Sequence, residues 1–172
     1  MTASIQITTK RFLLRSLSEH DVTERYLGWL NDNEAQKFIT FATAHRSISD
    51  LRKYVVDRTD CDDILFLGIF DKTNGLHVGN IKYESINVFL GYAVMGLLIG
   101  EPAYRGKGVA AEVLHASAIW LKNHRKIRQI LLGVSRENNS AFRAYQQAGF
   151  LVTETSHIHV SKGNIVTMAL SL

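Results

Sequence analysis

Tyr104 to Leu114 reads YRGKGVAAEVL, with Gly106 and Gly108 either side of a lysine and just ahead of a helix-like segment. Glycine leaves its backbone N–H unscreened, and the first N–H groups of a helix have no partner within it. Such a turn attracts an anion through hydrogen bonds and the helix dipole together. Arg105 and Lys107 add positive charge at its rim. A magnesium-nucleotide loop needs G-x-x-x-x-G-K-[ST], whose hydroxyl holds the metal. Gly108 and Val109 stand where that hydroxyl is required, which excludes this chemistry. A dinucleotide turn should follow the first strand of a parallel sheet, near the start of the chain, and this one does not.

A second constellation follows in LGVSRENNSAFRAYQQAGF, where Asn138, Ala141, Tyr145 and Gly149-Phe150 come after a strand-like run. Other reactive residue types stand apart. His157 and His159 alternate along what reads as a strand and lack a third ligand at zinc spacing, so no metal is expected. Cys61 is the single cysteine and reads as a bystander thiol. The basic group Lys122–Arg128 follows a helix, where cations offset the negative end of the dipole.

These residues need elements to hold them. RFLLRSL (11–17) alternates as a strand, and Ser18 caps a helix expected to run to about Leu30. SISDLRKYVVDR is a second helix, capped at Ser47 or Ser49. Ile64–Phe70 is an apolar strand that turns back through DKTNG into HVGNIKYESI. Gly91–Gly100 is almost wholly apolar and therefore central in a sheet. The glycine turn opens a helix with Val109, Val113, Leu114, Trp120 and Leu121 on its apolar stripe. A strand (IRQILLGVS), a short helix stopped by Gly149, and a terminal hairpin complete the order. The reading is one α+β domain over residues 1–172, around a mostly antiparallel mixed sheet of about seven strands with about four helices.

Taken together, the two constellations resemble the GNAT superfamily of acetyl-CoA-dependent N-acetyltransferases. The first matches [QR]-x-x-G-x-[GA] at Arg105–Ala110, and the second matches N-x-x-A-x-x-x-Y-x-x-x-G-F from Asn138 to Phe150. TTKRFLLRSLSEHD and YLGWLNDNEAQKF look like the opening of the RimJ/RimL-like branch, so the resemblance spans about Lys10 to Phe150. It implies that the N–H groups of Arg105, Gly106, Lys107, Gly108, Val109 and Ala110 hold the coenzyme A pyrophosphate. It implies that the main chain of Leu97, Leu98, Ile99 and Gly100 holds the pantetheine arm, where the strand splays from its neighbour, commonly at a bulge. Asn138 and Ala141 would lie on the other side of the arm, with Tyr145 as the acid that protonates the departing thiolate.

The residue types suit acyl transfer. A lysine-like amine has a pKa of roughly 10.4, so a base or water chain must take its proton, and the oxyanion needs N–H donors. Many family members carry a glutamate base where this chain has Val94. Glu101 at the strand's end and Glu84 on the preceding strand are the two replacements that could act through water. Tyr26, Trp29, Phe38 and Phe41 read by default as core packing, while the resemblance implies an acceptor wall that includes Trp29 and Phe38.

At 172 residues, 46% apolar and 21% charged, the composition is that of a soluble globular chain with one core. MTASIQITTKRF lacks the apolar centre of an export signal, and no window approaches the roughly 18 apolar residues of a membrane span. A cytoplasmic setting is expected, with neither a membrane nor nucleic acid as partner, the net charge of +4 being spread along the chain. The expected cosubstrate is acetyl-CoA and the expected acceptor a small-molecule or peptide amine. A homodimer is compatible with the sequence. The other reading is a non-catalytic acyl-CoA-binding regulatory module, favoured by Val94.

Overall fold

Alternating apolar residues build the sheet, and helices then cover both of its faces. The computed structural model describes residues 5–33, 47–59, 61–159 and 163–172. In order, the elements are β1 (Gln6–Thr8), β2 (Phe12–Ser16), α1 (Glu24–Asn31), α2 (Ile48–Val56), β3 (Ile64–Asp71), β4 (His77–Asn87) and β5 (Tyr92–Ile99). They continue as α3 (Val109–Arg125), β6 (Gln129–Ser135), α4 (Asn139–Gln147), β7 (Leu151–Val152) and β8 (Ile165–Ser171). The result is an α+β fold with one 8-stranded sheet, ordered β1-β2-β3-β4-β5-β6-β8-β7.

β3 shows how the layers form. Leu65, Leu67 and Ile69 enter one core with Val113, Leu114 and Leu121 of α3. Phe66 and Phe70 point the other way, into a core with Tyr26 and Leu30 of α1 and Leu51 and Val55 of α2. Each large apolar side chain so buried stabilises by roughly 1.5–3 kcal/mol. Ala141, Phe142 and Tyr145 of α4 pack on the α3 side.

The sheet is antiparallel except where β5 meets β6. Those two pair in parallel only at Tyr92–Val94 with Gln129–Leu131. Beyond this, β5 runs on to Ile99 and β6 to Ser135 without pairing to each other, so a fork opens in the middle of the sheet. Gly96 is exposed although its strand is central. The splayed central pair expected from the resemblance is therefore present. The bulge, however, lies on β4. Tyr83 pairs with Met95 and Ile86 with Ala93, which leaves Glu84 and Ser85 against Val94.

Two local readings are corrected, and one is extended. Ser18 does not start a helix to Leu30. Its N–H and hydroxyl bind the Asp21 carboxylate (2.8 and 2.9 Å), while Arg15 grips the same carboxylate (2.6 and 2.9 Å). This locks a 3-10 turn at Glu19–Asp21, Val22 becomes extended, and Thr23 caps α1 instead. The strand read as 11–17 has a partner ahead of it, β1, too short to give an alternation signal. The terminal hairpin is also shorter than its sequence pattern, since β7 covers only Leu151–Val152. His157 and His159 are therefore not on a strand. His157 instead stacks on Tyr92 of β5, with ring centroids 4.3 Å apart. Because β6 and β8 lie between β7 and β5, this contact carries the segment after β7 past both strands. Among the described residues no helix is long and apolar enough to cross a membrane.

Candidate active site

The mouth of the fork meets the glycine turn. Gly106 and Gly108 have φ of 69° and 73°, the left-handed region that costs other residues roughly 1–2 kcal/mol. A Cβ at Gly106 would enter open space. Gly108 is the N-cap of α3 and has no side chain to bond the first helical N–H groups. The N–H groups at Val109, Ala110 and Ala111, without helical partners, are thus left open to an anion. Val109 is buried and Ala110 half-buried, so the turn is anchored on the core side.

The cations beside this cradle differ in what they do. Lys107 is exposed. Arg105 turns back, its Nε donating to the Ile99 carbonyl and Nη2 to the Gly100 carbonyl, each at 2.9 Å. Its Nη2 also lies 3.5 Å from Asp32 Oδ2. Arg105 therefore ties the turn to the end of β5, in addition to carrying charge. Glu112, in the first turn of α3, would repel an anion if free. Thr9 Oγ1 (2.7 Å), the Arg11 N–H (2.8 Å) and Arg11 Nε (2.7 Å) all donate to it. Partial burial raises its pKa, but these donors outweigh that and hold the carboxyl below its ordinary value.

On the other side of the fork, Asn138 caps α4 by accepting the Ala141 N–H at Oδ1 (3.1 Å). The N-x-x-A spacing is thus a helix cap, and among the described residues Asn138 Nδ2 has no protein partner. One to two turns on, Tyr145 is half-buried with its ring 5.6 Å from that of Phe150. Burial pushes its hydroxyl up to about 12, and among the described residues that hydroxyl has no hydrogen-bond partner. At neutral pH it is a proton donor aimed at no protein acceptor.

Of the two carboxylates considered as bases, neither is loose. Glu84 sits on the bulge facing Val94, and its Oε2 accepts from Lys82 Nζ (2.6 Å) and Arg58 Nε (3.2 Å). Partial burial raises its pKa, yet the Lys82 and Arg58 contacts dominate and leave it below the usual carboxylate range. Glu101 lies past the end of β5, where Oε1 accepts from Trp29 Nε1 at 3.1 Å and Arg25 Nε stands 3.6 Å away. Trp29 is 5% exposed, and a Cβ at Gly100 would come within 2.0 Å of its ring. Tyr26 and His77 crowd that ring at 5.4 and 4.9 Å. Trp29 is thus set in the packing between α1 and the end of β5. Phe38 lies outside the described residues.

A family model for the acetyltransferase (GNAT) domain matches residues 11–151. The chain belongs to the GNAT acetyltransferase family. The fork, the glycine turn and the capped α4 are thus parts of a GNAT domain, and solved structures agree on its architecture. A GNAT-family acetyltransferase from Bacillus anthracis superposes with a TM-score of 0.80 at 19% identity, over 97% of this chain and 98% of that one. RimL, a ribosomal L7/L12 alpha-N-protein acetyltransferase solved in complex with coenzyme A, gives 0.83 at 16% identity, over 98% of each chain. The spermidine N-acetyltransferase from Vibrio cholerae, solved with coenzyme A and spermine, gives 0.78 at 18%, over 94% of this chain and 95% of that one. At these identities the likeness is one of fold.

Within this GNAT domain, sequence reasoning missed His77 and Arg11. His77 stacks on Phe70 (4.7 Å), and its Nε2 meets Asn80 Oδ1 at 2.8 Å. Burial lowers its pKa, against smaller opposing effects from Asn80 and Asp21. Neither residue stood out, because each gains its place from contacts distant in the chain.

Proposed function

We propose that this GNAT protein is an acetyl-CoA-dependent N-acetyltransferase acting on a primary amine by direct attack. The observation that carries this reading is the fork between β5 and β6, with an uncapped glycine turn at its mouth. Bound acetyl-CoA would supply the thioester and its thiol leaving group. The N–H groups of the Arg105–Ala110 turn would hold its pyrophosphate. The main chain of Leu97, Leu98 and Ile99, along the edge of β5 that β6 leaves uncovered, and of Gly100 just beyond it, would hold the pantetheine arm, and the strand's fork-facing N–H groups would serve an oxyanion. Asn138 Nδ2 and the backbone about Ala141 would close the slot from α4.

Tyr145 would give its proton to the departing sulfur, a task suited to a hydroxyl that stays protonated at neutral pH. Glu84 and Glu101 are the carboxylates we assign to proton removal through water. Glu84 is the nearer to Val94 along the sheet, since the bulge sets it against that residue. Holding Trp29 is the second role assigned to Glu101.

The acceptor is a small amine or a protein N-terminus, the latter in keeping with a RimJ/RimL-like branch. The solved relatives include an enzyme of each kind, a spermidine acetyltransferase and an alpha-N-protein acetyltransferase. The test is coenzyme A release from acetyl-CoA with spermidine, a peptide with a free N-terminal serine and an amino sugar nucleotide. Turnover with at least one amine is expected, and Tyr145→Phe should reduce it about 10²–10⁴-fold. Tight acetyl-CoA binding with no turnover on any amine would sink the transferase reading in favour of a binding module.

A further inference from the structure

The turn between β1 and β2 carries an arginine to the edge of the cradle. Glu112 fixes Arg11 at two points, its backbone N–H (2.8 Å) and its Nε (2.7 Å). Its guanidinium carbon lies 5.1 Å from the centroid of the Phe12 ring. The Nη2 atom stands 3.9 Å from where a Cβ at Gly108 would be, beside the N-cap of α3. Among the described residues neither Nη atom has a hydrogen-bond partner, and the side chain is 42% exposed. The arginine is thus held by one edge while its Nη2 stands beside the turn. A planar guanidinium fork is the side chain best matched to phosphate oxygens. Arg105, by contrast, has Nε and Nη2 committed to β5 carbonyls.

We infer that Arg11 is a ligand for a phosphate group of coenzyme A, completing the cradle formed by the glycine turn. This rests on the acetyl-CoA reading above. Two phosphate sources share the chemistry, the diphosphate and the 3′-phosphate of the ribose. The competing reading is a purely structural role, in which Arg11 neutralises Glu112 and its loss leaves a bare carboxylate near the anion.

Calorimetric binding separates these cases by comparing Glu112→Gln with the double variant Arg11→Gln/Glu112→Gln, so that no carboxylate is unmasked. Coenzyme A, dephospho-coenzyme A and pantetheine are the probes. Removing Arg11 should weaken coenzyme A about ten- to a hundred-fold in the Glu112→Gln background, the size expected of charge-assisted hydrogen bonds. Pantetheine, which has no phosphate, should bind both proteins alike. An equal loss with dephospho-coenzyme A assigns Arg11 to the diphosphate, and a loss confined to coenzyme A assigns it to the 3′-phosphate. Arg11→Lys keeps the charge beside Glu112 without the fork and should also bind coenzyme A more weakly than wild type, with an unchanged melting temperature.

Equal coenzyme A affinity in the two Glu112→Gln backgrounds, or an equal loss with pantetheine, overturns the inference and leaves the acetyl-CoA reading standing. A wild-type protein that binds neither coenzyme A nor acetyl-CoA overturns both.

Discussion

Tyr145 shows how one buried hydroxyl joins chemistry to pH. Its folded pKa is pushed up to about 12 from 10.0. The neutral form is therefore favoured by folding, a contribution complete below pH 10 and lost as pH rises from 10 towards 12. Burial also raises the hydroxyls of Tyr26 and Tyr83. Tyrosinate absorbance of the folded protein should thus lag behind that of the chain in denaturant as pH rises past 10, and Tyr145→Phe should shrink the lag. If Tyr145 already titrates near pH 7–8, its assignment as a thiolate-protonating acid is wrong. Asp21 behaves in the opposite sense. Burial raises its pKa, but hydrogen bonds from Arg15 and Ser18 bring it down to about 2 from 3.8. Its stabilisation is present above pH 4 and lost as pH falls towards 2. Asp21→Asn should lower the melting temperature at pH 7 and have little effect near pH 2, as a thermal series across that range would show.

At the scale of elements, the two glycines of the turn should respond differently from Gly100. Gly106→Ala meets no atom within 4 Å, so only its positive φ opposes it, at about 1–2 kcal/mol. Its new methyl group stands in open space beside the turn proposed to hold the diphosphate, so coenzyme A affinity should fall more than the melting temperature suggests. Gly100→Ala drives a carbon to 2.0 Å from the Trp29 ring and should destabilise by about 1–3 kcal/mol through displacement of α1. Denaturant titration with and without coenzyme A distinguishes the two.

The elements also mark how far the sequence reaches. The hairpin through DKTNG, the α3 stripe, the cap at Ser47 and the stop at Gly149 were legible, because each depends on neighbours a few residues away. Ser18 with Asp21 looked like the start of a helix because a capping box is local. What ended that turn was the clamp from Arg15 on β2. Arg105 read as rim charge, since nothing in its own segment reveals its bonds to Ile99 and Gly100. Arg11 was invisible as a partner of the turn, because Glu112 lies on an element far along the chain. The fork itself was foreseen only through family resemblance, as strand register cannot be read from β5 or β6 alone.

For the whole molecule, the fork divides the sheet into a wing of β1–β5 and a wing of β6, β8 and β7. Among the described residues their strands pair only at Tyr92–Val94 with Gln129–Leu131, a seam that the Arg128 and Gln129 N–H groups extend by donating to the Gly91 carbonyl. Amide hydrogen exchange should therefore be faster at the alternate N–H groups of Met95–Ile99 that face the fork than at those bonded to β4, with added coenzyme A slowing it there and over Val109–Ala111. Protection that appears elsewhere and spares these segments would place the ligand outside the fork.

That narrow seam makes the sheet resemble a zipper closed at one end, with α3 as the strap linking its two sides. A molecule laid along the open teeth would supply backbone partners that protein strands omit, acting as a surrogate strand. Occupancy and cooperativity then become one property. The empty protein should melt with the wings partly uncoupled, and the filled one as a single unit with a sharper transition.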